Sequence, residues 1–151
     1  MVEFDPSLKW KIVDDKAFNS HNGPIRFARG DGCWYGAIEL GPNHMNFGGV
    51  CHGGVYMALA DVTMGVGAHQ IGDRQRCATI DFNAHFLAAA KLGQTLVCRA
   101  NVNRMVSGVV FMESELWAGG RQCMAASGIW KVLSQETKAA EARIEPPLKP
   151  G

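Results

Sequence analysis

The sequence predicts an α+β domain in which one long helix packs against a curved antiparallel sheet of five to six strands. Three observations support this fold class. Residues 53–69 form a glycine-initiated, almost uncharged segment with the length of a helix. The segments that follow it are rich in Leu and Val or alternate apolar with polar residues, as strands do. Glycine-rich turns separate two pairs of strand-like segments, which indicates antiparallel hairpins.

The elements before the central helix are predicted from apolar spacing and turn residues. Residues 6–19 are expected to form a short helix within an N-terminal helical segment at 1–22. Asn22-Gly23-Pro24 then breaks the chain. Residues 25–40 are expected to form a hairpin, and residues 41–49 a loop that leads into the central helix.

Four further strands are predicted after the central helix. Their expected ranges are 78–86, 94–106, 109–117 and 121–133. The last two are joined at Ala118-Gly119-Gly120, which suits a tight hairpin turn. Residues 134–144 are expected to form a short helix and residues 145–151 a frayed tail, together a C-terminal tail at 134–151. The simplest packing of these elements wraps the sheet around the helix.

Length and composition indicate one globular domain over residues 1–151. The hydrophobic content is 47%, charged residues make up 19%, and the formal net charge is +1. Because the chain has no basic block, a nucleic acid or an anionic membrane is not an expected partner. No apolar run approaches the roughly 20 residues that a membrane-spanning helix needs. The first residues do not resemble a secretory signal.

The cysteines and histidines predict neither disulfides nor a metal site. The five cysteines are widely spaced and contain no C-x-x-C pair, which favours free thiols in a reducing, cytoplasmic compartment. The five histidines show no H-E-x-x-H spacing, and no glycine-rich nucleotide loop is present. We therefore expect no metal and no cofactor.

The predicted central helix has two apolar faces. Val55, Leu59, Val62 and Val66 form one narrow stripe that should face the sheet. A second face is also apolar or small and is expected to be covered by another copy of the protein. Its expected members are Gly54, Met57, Asp61, Met64 and Ala68.

Asp61 is the only acidic or basic residue between His52 and Ala68, the histidine aside. A carboxylate in an otherwise uncharged, apolar helix is expected to be paired with another group or to have a function. It is either a structural cap or salt-bridge partner, or a functional group that faces a pocket between subunits. In the second case it could act as general base on water or attack an acyl carbon directly.

The start of the helix offers a complementary feature. Gly53 and Gly54 are expected to leave the first amide N–H groups bare and open to close approach by a ligand. Such N–H groups suit an anion or a developing oxyanion. His52 and Asn46 are, taken singly, an ordinary helix cap and an ordinary turn residue. Together with the glycines and Asp61 they indicate a site.

These residues resemble the hotdog-fold acyl-CoA thioesterases of the phenylacetate-degradation type. The resemblance spans about residues 40–133 and includes a strand-like segment at 78–87 and another that begins near residue 91. Its most specific part is the signature Asn46-x-x-Gly49-x-x-His52-Gly53-Gly54 followed by Leu59-Ala60-Asp61.

The resemblance implies a curved antiparallel sheet around one long helix. It implies that two copies pair edge to edge and that such dimers associate into a dimer of dimers. The active sites would lie between subunits and bind the pantetheine arm of coenzyme A, which enters as part of an acyl-CoA substrate.

The resemblance also implies roles for five residues. Asp61 would be the base or the nucleophile, and the N–H of Gly53 would polarise the thioester carbonyl. Asn46 and His52 would orient water and the carbonyl, from either subunit. Thr79 would position the attacking water.

Further binding residues are less specifically marked. Arg104, Ser107 and Gly108 lie at a strand turn where relatives contact the nucleotide, and the alternative is an exposed turn with a solvated arginine. Three other side chains are candidates for lining the acyl pocket, although methionines at helical spacing are more often core residues. These are His21, Met57 and Met64.

The expected activity is hydrolysis of a thioester to a free acid and coenzyme A. The alternative is a non-catalytic acyl-CoA sensor or accessory protein on the same fold, because a fold does not determine a function. A hotdog dehydratase or hydratase would need a catalytic histidine and acid in other motifs, and the sequence offers no counterpart.

Overall fold

The computed structural model describes residues 2–12 and 15–133, which form one antiparallel sheet and one long helix. The helices are α1 (Phe18–Asn22) and α2 (Gly53–Ile71), with a 3-10 turn at Pro42–His44. The strand order in the sheet is β1-β2-β3-β5-β6-β7-β4. The strands are β1 (Lys11–Ile12), β2 (Arg26–Gly30), β3 (Cys33–Glu39), β4 (Cys77–Phe86), β5 (Thr95–Val106), β6 (Val109–Ala118) and β7 (Arg121–Val132).

The α+β prediction is confirmed, with seven strands in the described residues instead of five to six. The hairpin at 25–40, the central helix and the four later strands all form close to their expected ranges. Three two-residue turns join neighbouring strands, and each turn has positive φ at both residues, as type I′ turns require. The turn residues are Asp31 and Gly32, Ser107 and Gly108, and Gly119 and Gly120. The expected C-terminal helix and tail lie outside the described residues.

The expected helix over residues 6–19 is wrong where the structure describes it. Lys11 and Ile12 form the short strand β1, which pairs with Arg26 and Phe27 of β2. The helix that does form, α1, begins only at Phe18. The side chain of Asp15 initiates it, since Oδ1 accepts the N–H groups of Ala17 at 2.9 Å and Ser20 at 3.2 Å.

Helix α2 packs into the concave face of the sheet through a broader surface than expected. Val55 and Leu59 are buried as predicted, but Val62 and Val66 are only half-buried. Met64 and Ala68 were expected on a second, outward face and are instead fully buried in the core. Buried residues recur every four positions along α2, at Val55, Leu59, Thr63 and Gly67. Because 3.6 residues complete a turn, each step of four residues moves the buried stripe a little farther around the helix.

A bulge interrupts β4 just after its start. Thr79 pairs with Trp130 and Asp81 pairs with Ile129, so Ile80 is an extra residue with no partner on β7. An inserted residue reverses the faces of all residues on one side of it. Strict alternation would place Thr79 with Asp81 on the outer face, whereas the bulge returns Thr79 to the face that contacts α2.

Strand β4 lies at the edge of the sheet, where β7 is its only neighbouring strand in the described part of the chain. It spans ten residues, and the side chains of Ile80 and Phe86 are 61% and 55% exposed. A long exposed strand edge of this kind can pair with another strand. Across the described residues, no helix has both the length and the apolar character needed to cross a membrane.

Candidate active site

The loop before α2 is shaped by the side chain of Asn46. Its Oδ1 accepts the N–H of Gly48 at 2.8 Å and the N–H of Val50 at 3.3 Å. Backbone hydrogen bonds from Asn46 to Val50 and from Gly49 to Asn46 close the same turn. Gly49 has φ of +74°, which glycine adopts readily. The side-chain oxygen of Asn46 is thus used in the turn, and its amide nitrogen has no hydrogen bond within residues 2–12 and 15–133.

His52 caps α2 and fixes its own tautomer. Its Nδ1 accepts the N–H of Gly54 at 2.9 Å, so the hydrogen of a neutral ring lies on Nε2. The expectation that both glycine amides are bare is therefore wrong for Gly54 and holds for Gly53. The Gly53 N–H has no hydrogen-bond partner among the residues that the structure describes.

A surface cavity of about 590 Å³ lies over this helix start. It brings together Asn46, His52 and Gly53, three of the residues expected in the site, and adds the fully exposed ring of Phe47. The Cα of Gly53 also faces Phe86, because a Cβ built there would lie 3.4 Å from the ring. The cavity combines a bare amide donor with apolar walls.

Asp61 lies farther along α2 and has Thr79 as its partner. The hydroxyl of Thr79 donates a hydrogen bond to Oδ1 of Asp61 at 2.8 Å. Asp61 is half-buried instead of fully buried, and the ion pairs among the described residues are Arg26–Glu39 and Arg99–Glu115. The salt-bridge interpretation of Asp61 is therefore wrong in the described part of the chain.

Asp61 and Thr79 line a second cavity of about 360 Å³. The sequence analysis did not identify several other residues that line this cavity, although their spacing from Asp61 and Thr79 could have indicated them. Gly65 and His69 follow Asp61 at intervals of four residues on one helix face, and Cys77 precedes Thr79 by two on a strand. Arg76, directly before β4, adds a positive charge to the cavity.

The thiols near the two cavities are poor nucleophiles. Burial raises the pKa of the Cys77 thiol, and the negative charge of Asp61 raises it further. Burial likewise raises the pKa of Cys51, next to His52, to about 11. Because the thiolate is the reactive form of cysteine, both side chains are unreactive near neutral pH. This leaves Asp61 as the carboxylate available for nucleophilic or basic chemistry, and the imidazoles of His52 and His69 also line these cavities.

The two cavities lie at different positions along α2. Gly53 and Asp61 are eight residues apart, and a rise of about 1.5 Å per residue separates them by about 12 Å along the helix axis. A reacting carbonyl and its nucleophile must approach within about 3–3.5 Å. The Gly53 amide and the Asp61 carboxylate of one chain therefore cannot act on the same carbonyl carbon.

The remaining expected binding residues do not join either cavity. Met64 is fully buried in the core, so a pocket-lining role for it is wrong. His21 is exposed on α1, and Met57 is 42% exposed on α2, and neither lines the two cavities. Ser107 and Gly108 line a separate cavity of about 260 Å³ with Lys131, while Arg104 is exposed beside a register shift in β5.

A family model and a curated relative match this chain. The model described as the thioesterase superfamily matches residues 48–125, a little over half of the chain. A protein of Pseudomonas aeruginosa named "Putative esterase" is 30% identical over 95 residues, which cover 62% of this chain and 71% of that protein.

Solved structures share the fold. An Asn-to-Asp variant of the phenylacetic acid degradation protein PaaI from Thermus thermophilus has a TM-score of 0.69 at 18% identity, covering 76% of this chain and 97% of that chain. A hypothetical thioesterase from Streptococcus pneumoniae, solved with coenzyme A, has a TM-score of 0.67 at 20% identity, covering 74% and 90%. With the family match and the helix-wrapped sheet, these findings show that this chain is a hotdog-fold member of the thioesterase superfamily.

Proposed function

We propose that this chain is an acyl-CoA thioesterase whose active site is completed by two copies of the chain. The observation that carries the proposal is the pair formed by Asp61 and Thr79, which places an accessible carboxylate oxygen in a cavity without an ion pair among the described residues. The family match supports hydrolysis of a thioester, and the coenzyme A complex of the Streptococcus pneumoniae protein supports an acyl-CoA substrate.

The roles in hydrolysis are divided between the two cavities. The Gly53 N–H would stabilise the negative charge that develops on the carbonyl oxygen, since a bare amide at a helix start is suited to an oxyanion. Nε2 of His52 and the amide nitrogen of Asn46 are further donors at the same cavity. They would orient the thioester carbonyl or the water.

Asp61 would supply the other half of the chemistry. As general base, it removes a proton from water while the water oxygen attacks the carbonyl carbon. The C–S bond then breaks, and coenzyme A leaves as the thiol. As nucleophile, Asp61 attacks the carbonyl carbon, the C–S bond breaks and the coenzyme A thiolate leaves, which gives a mixed anhydride that water hydrolyses to the free acid and the original carboxylate. In both cases the Thr79 hydroxyl holds Oδ1, so Oδ2 is the oxygen that is free to react.

The separation of about 12 Å along α2 supports a site shared by two subunits. If two copies pair through the free edges of β4, their α2 helices run in opposite directions. The Gly53 amide of one subunit can then meet Asp61 of the partner subunit. This arrangement uses the exposed edge of β4 and the exposed Phe47 and Phe86 around the Gly53 cavity.

A thiol-release assay across short aliphatic, arylacetyl and hydroxylated acyl-CoA esters tests the proposal. We expect hydrolysis of at least one class, and a fall in kcat of about 100-fold or more for Asp61→Asn because the base or nucleophile is lost. The matched control is Asp31→Asn, at an exposed turn position with φ of 50° that Asn tolerates. Tight binding of coenzyme A without hydrolysis would instead identify a non-catalytic acyl-CoA-binding protein.

A further inference from the structure

His44 is a buried polar side chain to which the proposed chemistry assigns no role. It is 3% exposed and ends the 3-10 turn at Pro42–His44, two residues before Asn46. Buried polar groups are kept in place by hydrogen bonds, and losing one partner is costly. The hydrogen bonds of this ring therefore show which segments of the chain His44 connects.

The two ring nitrogens of His44 contact two different parts of the chain. Nδ1 accepts the N–H of Gly41 at 2.8 Å, and Nε2 lies 2.8 Å from the carbonyl oxygen of Asn22. An amide N–H only donates and a carbonyl only accepts, so both contacts form together only when Nδ1 is unprotonated and Nε2 carries hydrogen. The amide nitrogen of Asn43, 3.4 Å from Nε2, then has no acceptor there.

The backbone of His44 connects the ring to the start of α2. The His44 carbonyl accepts the N–H of His52 at 2.8 Å, and Met45 pairs with Cys51 in an isolated bridge. On the other side, Gly41 follows Leu40, whose N–H donates to Gln94 and whose carbonyl accepts from Gly93. His44 thus joins the sheet through Gly41 to the residue that caps α2.

The Asn22 contact adds the N-terminal segment to this link. Asn22 is the last residue of α1, and its side chain donates to the Phe18 carbonyl at 2.9 Å. The ring of His44 is therefore fixed from two sides, and His52 and Gly53 follow it after a short closed loop. A shift of this ring would move the amide that faces the Gly53 cavity.

We propose that His44 is a positioning residue, whose Nε2–H tautomer clamps α1 and Gly41 to the active-site loop and so places the Gly53 N–H for the thioester carbonyl. This inference rests on the proposed function for its effect on turnover. The clamp itself, a fixed tautomer bound to two chain segments, does not depend on that function.

Three variants of His44 test the clamp through kinetics. His44→Leu keeps bulk and removes both contacts, His44→Asn keeps an acceptor near the Nδ1 position, and His44→Gln keeps a donor near the Nε2 position. We expect kcat of His44→Leu to fall about 10- to 100-fold with little change in KM, because displaced catalytic groups cost that much. His44→Asn and His44→Gln should each recover part of the loss.

The control is Asp31→Asn, at the exposed turn between β2 and β3, which should leave kcat unchanged. Wild-type kcat in all three His44 variants, or a loss explained by the unfolded fraction alone, would show that His44 is only structural and overturn the proposal.

NMR gives two readouts that do not need activity, and the first of them needs only the wild-type protein. The imidazole nitrogen shifts of His44 should report the neutral Nε2–H tautomer, and an Nδ1–H tautomer or an imidazolium near neutral pH would refute the clamp. The second readout is the amide shift of Gly53, which should change in folded His44→Leu and not in Asp31→Asn. If no thioester is hydrolysed while both signals behave as expected, the proposed function fails and the clamp stands.

Discussion

The two halves of the candidate site are built differently. The half at the start of α2 consists largely of backbone amides and cap groups from one continuous stretch, residues 46–54. The half around Asp61 joins side chains from α2 and β4 that are 18 residues apart in sequence. The first can be read from a local motif, whereas the second exists only because a bulge turns Thr79 toward the helix.

Loss of the Gly53 N–H at the start of α2 should cause the largest fall in activity. Gly53→Pro deletes the N–H, and proline is tolerated there because it would occupy the first helical position and His52 has extended ψ of 137°. We expect kcat to fall about 100- to 1,000-fold, the cost of losing one oxyanion-hole donor. Thiol release by the folded variant measures the loss.

The matched control for this variant is Gly53→Ala, which keeps the N–H. The added Cβ would meet the ring of Phe86 at 3.4 Å, which is ordinary contact, so kcat should stay near the wild-type value. Equal activities for Gly53→Pro and Gly53→Ala would remove the amide from the mechanism.

Mixed oligomers test whether the two halves meet across subunits. Co-expression of Gly53→Pro with Asp61→Asn should restore about one quarter of wild-type activity, since random pairing makes half of the dimers mixed and leaves one of their two sites intact. Thiol release by the co-expressed mixture measures this fraction, and mixed dimers purified through two different tags should show about one half of wild-type activity. If the mixture is as inactive as each variant alone, Gly53 and Asp61 do not serve one shared site.

The Asp61 half should respond more mildly to loss of its partner. Thr79→Val keeps the shape of the side chain and removes the hydrogen bond to Asp61. A hydrogen bond to a charged group contributes about 1.5–3 kcal/mol, which corresponds to a fall in kcat of about 10- to 150-fold. Because Thr79 is exposed, we expect the low end of this range, a roughly 10-fold fall. Thr79→Ser, which retains the hydroxyl, should recover most of the activity. A Val variant with normal kcat would show that Asp61 needs no help from Thr79.

The sequence predicted the central helix and the hairpins because each has a local signal. Gly53 begins the helix where expected, and the turn glycines at 119 and 120 adopt positive φ as expected. The N-terminal region was predicted incorrectly because β1 depends on pairing with β2, and a two-residue strand has no periodicity of its own.

The helix faces were only partly predictable. The narrow apolar stripe identified Val55 and Leu59. Burial of Met64 depends on how far the curved sheet wraps around α2, and the spacing of apolar residues does not predict that extent. The family resemblance implied that Thr79 positions the attacking water, and it did not predict the hydrogen bond between Thr79 and Asp61. Strict alternation along the strand would place Thr79 on the outer face. One unpaired residue, Ile80, explains the difference.

The bulge at Ile80 lets Thr79 and Phe82, an odd number of positions apart, lie on the same face of β4. Deleting Ile80 would leave Thr79 opposite Trp130 and two positions before Phe82, as in a regular strand. The Thr79 hydroxyl would then stay on the side of α2 while Phe82 stays packed against the core. Loss of this one residue during evolution or engineering should therefore be tolerated by the contact between Thr79 and Asp61.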